Sequence, residues 1–170
     1  MNRKVTSFLT LALASALPVS AFAVAPNGSQ IDELNSLLKG ELSAVQTYTQ
    51  ALKKIDTADR AEALTENLEN HQKAVDTLRS EIVSRGGKPV TDSGAWGTWA
   101  QTVQGTSNLL GDKVALKALR EGEEHGLNEY KEAIRDNVFS EKTASLISDT
   151  LIENQIEHIR ELDQKIAQIS

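Results

Sequence analysis

The sequence predicts an all-α protein built as a bundle of four long helices. Apolar residues recur every three or four positions in four separate stretches, which is the spacing of an amphipathic helix. Almost no segment alternates apolar with polar residues, and aromatic residues make up only 4% of the chain, so a β-sheet is not expected. The connections between the stretches are short, long and short, which predicts one crossover between helices two and three.

The first two helices are marked by signals at their ends. Ser29, followed three residues later by Asp32, is typical of a capping box and predicts the start of helix one. Gly86 and Gly87, followed by Pro89, predict the end of helix two. The residues that form the two apolar faces are Ile31, Leu34, Leu38, Leu42, Val45 and Leu52 in helix one, and Leu64, Leu68, Val75, Leu78 and Ile82 in helix two.

The other two helices follow the long connection. Ser140 is a candidate N-cap for helix four. The connection contains Trp96 and Trp99, and we expect part of it, near residues 96–103, to form a short helix that packs its Trp rings against the bundle. The apolar faces consist of Leu116, Leu119, Leu127, Tyr130 and Ile134 in helix three, and of Ile147, Leu151, Ile159, Leu162 and Ile166 in helix four.

The N-terminus has the pattern of a secretory signal peptide. Arg3 and Lys4 are basic, residues 8–17 are mostly apolar, and Ala21 and Ala23 are small residues at the expected cleavage positions. The apolar run is shorter than the roughly 20 residues that span a bilayer. We therefore expect cleavage after residue 23, a mature domain of residues 24–170 in the periplasm or secreted, and no membrane anchor after cleavage.

Composition narrows the classes of function. The formal charge of −6 becomes −8 without the signal segment, so the surface should repel nucleic acid and anionic membranes. The chain has no cysteine, which excludes thiolate metal sites, thiol catalysis and disulfides. The length of the mature chain and 39% hydrophobic residues predict a single domain with a sizeable core. No phosphate loop or nucleophile elbow is present, so hydrolase and transferase chemistry is unsupported.

Each predicted helix carries one ionisable residue on its apolar face. With 100° per residue, Glu41 and His71 fall inside the apolar stripes of helices one and two. Glu123 and His158 do so in helices three and four. An ionised carboxylate in an apolar core is costly unless it is paired or coordinated. Two imidazoles and two carboxylates from four helices are a typical ligand set for a divalent ion.

The spacing of these residues repeats in the two halves of the chain. Glu41 precedes Tyr48 by seven residues, and Glu123 precedes Tyr130 by seven. Each half is therefore a helical hairpin that contains Glu, Tyr and His. A pseudo-twofold arrangement of two such hairpins would bring both Glu-His pairs to the middle of the bundle. We expect the tyrosines to be core aromatics that hydrogen-bond to a nearby Glu.

Residues 34–48, Leu-Asn-Ser-Leu-Leu-Lys-Gly-Glu-Leu-Ser-Ala-Val-Gln-Thr-Tyr, are similar to the first helix of bacterioferritin. Over nearly the whole mature chain the pattern resembles the ferritin superfamily, of the bacterioferritin and rubrerythrin type. The resemblance implies a ferritin-like four-helix bundle in which helices one and three each provide a terminal Glu ligand. In that superfamily, helices two and four each provide Glu-x-x-His, whose glutamates bridge two metals.

The four terminal ligands of that pattern match Glu41, His71, Glu123 and His158. The bridging positions do not match, because Leu68 and Gln155 stand there. The resemblance therefore implies no ordinary di-iron oxidase or ferroxidase. The glycine-rich crossover and residues 120–124 look more like an uncharacterised family of single ferritin-like domains, which brings no known activity.

Two main hypotheses follow for the inward residues. In the first, Glu41, His71, Glu123 and His158 bind zinc, iron or manganese, for storage, buffering or stress protection. In the second, the bundle is a metal-free structural or interaction module, in which Glu41–His71 and Glu123–His158 pairs form a buried polar layer. A third, a di-iron oxidase, would need replacement bridging carboxylates, and Glu69 and Glu153 lie on the wrong faces.

Two further expectations concern the surface. His125 is expected to be an ordinary surface residue among acidic neighbours. An oligomer is compatible with the sequence, which does not define its interface.

Overall fold

The computed structural model describes residues 27–55, 57–94 and 111–169. These residues form four long helices and contain no strand, so the predicted all-α bundle is confirmed. The fourth helix, α4, is continuous and has three consecutive segments, of which the middle one is π-helical. The helices are α1 (Asn27–Leu52), α2 (Ala58–Ser84), α3 (Asp112–Arg135) and α4 (Glu141–Leu146, Ile147–Ile152 and Glu153–Ala167).

Two apolar clusters fill the bundle, one near each end. The first apolar cluster joins the start of α1 to the end of α2, the end of α3 and the start of α4; its members include Leu34, Leu38, Leu78, Ile82, Tyr130 and Ile147. The second apolar cluster joins the opposite ends of the same helices; its members include Tyr48, Ala51, Leu64, Leu116, Leu119 and Leu162.

The residues in these two clusters show in which direction each helix runs. The end of α2 and the end of α3 share the first apolar cluster, so α2 and α3 run parallel. The end of α2 and the start of α3 therefore lie at opposite ends of the bundle, so the connection between them is a crossover. This is the crossover that the short, long and short connections predict, and it pairs α1 with α2 and α3 with α4 as two antiparallel hairpins.

Two of the three predicted helix ends are correct. Ser140 caps α4, because its hydroxyl accepts a hydrogen bond from the backbone N–H of Thr143 at 3.4 Å. Helix α2 ends at Ser84, and Gly86 follows with a φ of +76°, which favours glycine. The prediction for α1 is wrong, because the helix already includes Asn27 and Ser29 lies inside its first turn.

The π-helical segment of α4 has no counterpart in the sequence prediction. It spans Ile147–Ile152 and lies just before the turn that carries Gln155 and His158. Such segments are rare and occur often at functional sites, because the wider turn changes the register of the side chains that follow it.

Two sequence predictions concern residues outside the described part of the chain. The signal peptide lies within residues 1–26, and the expected short helix at residues 96–103, with Trp96 and Trp99, lies within residues 95–110. Among the helices that the structure describes, none combines the length and the apolar character needed to cross a membrane.

Substitution of Gly87 by Ala should destabilise the protein. A Cβ at this position would lie 2.8 Å from Cγ2 of Ile31 and 2.9 Å from Cγ2 of Ile82, which is fully buried. Overpacking of this kind costs about 1–3 kcal/mol. Chemical denaturation of Gly87→Ala measures the loss, and Gly40→Ala is the control, since its Cβ would meet no atom within 4 Å. Equal stability of Gly87→Ala and the unaltered protein would contradict this packing.

Candidate metal centre

A layer of polar side chains separates the two apolar clusters. The four residues predicted from the helical wheel, Glu41, His71, Glu123 and His158, all lie in this layer and are 1–4% exposed. The layer also contains four further buried residues with polar side chains: Tyr48, Asn67, Tyr130 and Gln155. In each helix, the polar residues of the layer lie on the same face as the buried apolar residues.

His71 lies at the centre of the layer and contacts both carboxylates. Its Nδ1 is 2.8 Å from Oε2 of Glu41, and its Nε2 is 3.0 Å from Oε1 of Glu123. A neutral imidazole has only one N–H and could donate to only one of these oxygens. If each ring nitrogen donates to the carboxylate beside it, the ring must carry both protons, as the imidazolium does.

The pKa of His71 agrees with this geometry. Burial lowers this pKa, but the negative charges of Glu123 and Glu41, together with their hydrogen bonds, outweigh burial and raise it from 6.5 to about 10. In the same way, burial would raise the pKa of Glu123, but His71 and His158 hold it well below its usual value. The buried pair is therefore ionised at neutral pH.

The two tyrosines connect the hairpins reciprocally. Tyr48 of the first hairpin donates to Oε1 of Glu123 at 2.5 Å, and Tyr130 of the second hairpin donates to Oε1 of Glu41 at 2.6 Å. Burial, and then the adjacent carboxylate, raise the pKa of each phenol well above 10, so both remain donors. The expected hydrogen bonds to Glu are present, and each one crosses to the other hairpin.

The pseudo-twofold arrangement is broken at the histidines. Whereas His71 contacts two carboxylates, His158 contacts one, with its Nδ1 3.4 Å from Oε2 of Glu123. The other nitrogen of His158, Nε2, lies 3.4 Å from the Nδ2 amide nitrogen of Asn70. The rings of His71 and His158 meet edge to face, with their centroids 4.8 Å apart.

The amide of Gln155 lies between the two carboxylates. In one orientation its Nε2 donates to Oε1 of Glu41 at 3.4 Å. The exchanged orientation turns the nitrogen toward Glu123, where it donates to Oε2 and to the main-chain oxygen at 3.2 Å, and so avoids a contact between oxygens. Gly126 leaves the room for this amide, since a Cβ there would lie 3.1 Å from Nε2 of Gln155.

Three of the four predicted residues form a compact set of ligand atoms. His71, Glu123 and His158 each offer one atom, and these atoms lie within 4.8 Å of one another. Glu41 is not part of this group of three, and it contacts His71 through Nδ1. The layer thus contains a buried two-His, one-carboxylate group that could hold a metal ion, with a second carboxylate behind one of its histidines.

Two cavities adjoin the layer on opposite sides. The α1–α3 cavity has a volume of about 90 Å³; it reaches His71 and Glu123 inside, and His125 and Glu129 also line it. His125 is half exposed, as predicted for a surface residue, but its position on this cavity was not predicted. The α2–α4 cavity is about 10 Å³ and is lined by residues that include Asn70, Asn154 and His158.

The fold is shared with two solved structures of the ferritin type. One is a ferritin-like diiron-carboxylate protein from Bacillus anthracis str. Ames, with 19% identity, a TM-score of 0.67, and coverage of 82% of this chain and 96% of that chain. The other is a dodecameric thioferritin, the bacterioferritin-related protein of Bacteroides fragilis, with 21% identity, a TM-score of 0.71, and coverage of 86% and 89%. The chain is therefore a ferritin-like helical bundle, as the sequence resemblance implies.

The sequence comparisons identify the family. Residues 29–136 match the model of the Domain of unknown function (DUF2383), and the chain belongs to that family. A comparison with curated proteins gives no match.

The metal-free protein should be most stable in mildly acidic to neutral solution. The stabilisation from His71 is complete below pH 6.5 and is lost as the pH rises through about 10, because its pKa is raised on folding. The stabilisation from Glu123 is complete above pH 4.5 and is lost as the pH falls, because its pKa is lowered. Melting temperatures measured in chelator across this range should rise and then fall with pH.

A matched pair of variants assigns the alkaline decline to His71. His125→Ala should keep the alkaline limb of the profile, whereas His71→Gln should flatten it and lower the melting temperature throughout, because two buried carboxylates lose their cation. A melting temperature that is level between about pH 7 and 10 in the unaltered protein would contradict the imidazolium assignment.

Proposed function

We propose that this protein binds one divalent metal ion per chain through His71, Glu123 and His158. The observation that carries this proposal is the compact, buried group formed by their ligand atoms. Two imidazoles and one carboxylate are a common ligand set for mononuclear Fe(II) and for Zn(II) with an open coordination position. Zinc, iron and manganese are the candidate ions, and metal storage or buffering is the role that fits such a site.

The charges of the layer support a cation at this position. Two carboxylates, Glu41 and Glu123, contact the imidazolium of His71 in the metal-free layer. A divalent ion that replaces the proton on Nε2 of His71 would bring Glu41, Glu123, a neutral His71 and the ion to zero net charge. Binding should therefore release a proton, as it does wherever a metal displaces one from its ligand.

In this proposal Glu41 orients His71 and does not bind the ion directly. Its Oε2 accepts a hydrogen bond from Nδ1 of His71, which leaves Nε2 toward Glu123. A carboxylate behind a metal-binding histidine fixes the tautomer and the orientation of the ring. The proposal thus refines the role expected for Glu41 from the sequence.

The absence of bridging carboxylates argues for one ion and against a di-iron oxidase. Leu68 is an apolar residue packed against the second apolar cluster, and Gln155 presents a neutral amide. The Bacillus anthracis relative, in contrast, is described as a diiron-carboxylate protein. The present chain therefore has no carboxylate at either bridging position that two ions could share.

The test is stoichiometric binding of Zn²⁺, Mn²⁺ or anaerobic Fe²⁺ to the chelator-treated chain, measured by calorimetry and by elemental analysis. We expect one ion per chain with proton release, and loss of binding in Glu123→Gln and His158→Ala. Glu41→Gln should retain one ion with roughly 10- to 100-fold weaker affinity, as for other residues behind a ligand. Glu121→Gln is the control, on the exposed surface of the same bundle.

A metal-free structural bundle is the second candidate function. It is favoured by the hydrogen bonds within the layer, since both carboxylates, both tyrosines and His71 contact one another. If none of the three ions binds or raises the melting temperature, this candidate replaces the first, because a ligand specific to the folded state must stabilise it.

We propose further that the protein is exported and that its functional form is residues 24–170. The basic and apolar N-terminal pattern and the Ala21 and Ala23 positions support this proposal. Intact-mass measurement of the protein from the periplasmic or secreted fraction of its host should give a chain that begins at Val24. A chain that begins at Met1 would contradict export by cleavage.

Self-association is also proposed, on the ground that the Bacteroides fragilis relative is described as dodecameric. Light scattering of the purified chain would give its mass in solution. A monomer at every concentration would overturn this proposal.

A further inference from the structure

The ligand group is closed to solvent, so a cation must pass between helices to reach it. His71, Glu123 and His158 are each no more than 3% exposed. Two of the cavities lined by the described residues touch the group, and they differ in size. The α2–α4 cavity, about 10 Å³, has room for about one water molecule, whereas the α1–α3 cavity, about 90 Å³, has room for several.

The α1–α3 cavity also extends toward the surface. Its lining runs from His71 and Glu123 to His125 and Glu129, whose side chains are 54% and 35% exposed. Nε2 of His125 lies 3.9 Å from Oε1 of Glu129. An imidazole and a carboxylate therefore line the cavity at its surface end, His125 and Glu129, and again at its inner end, His71 and Glu123.

Small residues keep this space open. Gly40 and Ala44 line it from α1, and Gly122 lines it from α3. An added Cβ at Gly40 would meet no atom within 4 Å, so a larger side chain there has space to enter. This space alone would not define a site; its significance comes from the ligand atoms at both ends.

Carboxylates also lie along the same edge, where Arg135 pairs with Asp136 at 3.6 Å. Glu33 of α1 interacts with Glu129 and with Asp136, which follows α3; burial raises the pKa of Glu33, and these two carboxylates raise it further. A cleft with one sign of charge and low-dielectric walls concentrates ions of the opposite sign. The edge between α1 and α3 should therefore attract cations.

We propose that the α1–α3 cavity is the route by which a divalent cation reaches His71, Glu123 and His158, with His125 and Glu129 making its first contact. This inference rests on the proposed function. It assigns to His125 and Glu129 a role in the rate of binding, and none in the affinity of the inner group. It gives the smaller α2–α4 cavity no part in entry.

The test follows the rate of Co²⁺ binding to the chelator-treated chain by stopped-flow absorbance. Gly40→Leu should lower the association and dissociation rate constants together, by roughly tenfold, with little change in affinity, because an obstructed route raises the barrier without changing either end state. Gly28→Leu is the matched control, since it is also in α1 and its Cβ would meet no atom within 4 Å.

A second pair of variants tests the mouth of the cavity without adding bulk. Glu129→Gln should slow association several-fold at low ionic strength and little at high ionic strength, as expected when a charge steers the approach. Glu121→Gln removes the same charge from the exposed face of the same helix and should leave the rate unchanged.

The outcomes separate this inference from the proposed function. Unaltered rates in both Gly40→Leu and Glu129→Gln, with Co²⁺ still bound, would overturn the route and leave the metal site standing. Weaker affinity with an unchanged association rate in Gly40→Leu would also overturn it, since the substitution would then act on the site. Failure of the unaltered protein to bind Co²⁺, Zn²⁺, Mn²⁺ or Fe²⁺ would overturn both.

Discussion

The positive charge of His71 between two buried carboxylates is the interaction on which the middle of this bundle depends. Glu41 and Glu123 have almost no contact with solvent, and burial without a cation would be strongly unfavourable. The imidazolium contacts both at hydrogen-bond distance, and a tyrosine from the opposite hairpin completes each one. The same contacts tie the two hairpins together, so the polar layer stabilises their relative register as well as the charges.

The helical periodicity was sufficient to find the four inward residues, and the lengths of the connections were sufficient to predict the crossover. Glu41 and His71 are surrounded by apolar positions one turn away on either side, so their faces could be read from the sequence alone. A helical wheel does not show which residue lies opposite, and so it could not pair Tyr48 with Glu123 across the hairpins. Nor does it anticipate the π-helical segment of α4, which alters the register before Gln155.

Other features were missed because they depend on shape. One is the gap at Gly126, which admits the Gln155 amide, and another is the cavity beside His125. Both arise from the packing of α1, α3 and α4 against one another. Gly126 offered one signal, since a glycine inside a helix has an unfavourable propensity and often has a packing reason. The departure from the bridging Glu-x-x-His pattern, in contrast, could be read directly from Leu68 and Gln155. Without bridging carboxylates, a proton and a metal ion would compete for the same nitrogen of His71.

The most direct test of this account is the protonation of His71 in the metal-free protein. In protein labelled with ¹⁵N at histidine, the spectrum at about pH 8 should show one imidazole with both nitrogens protonated, because the pKa of His71 is about 10. That signal should disappear in His71→Gln and remain in His125→Ala. If every histidine of the unaltered protein is neutral at this pH, no cation lies between Glu41 and Glu123, which contradicts the assignment of His71 as an imidazolium.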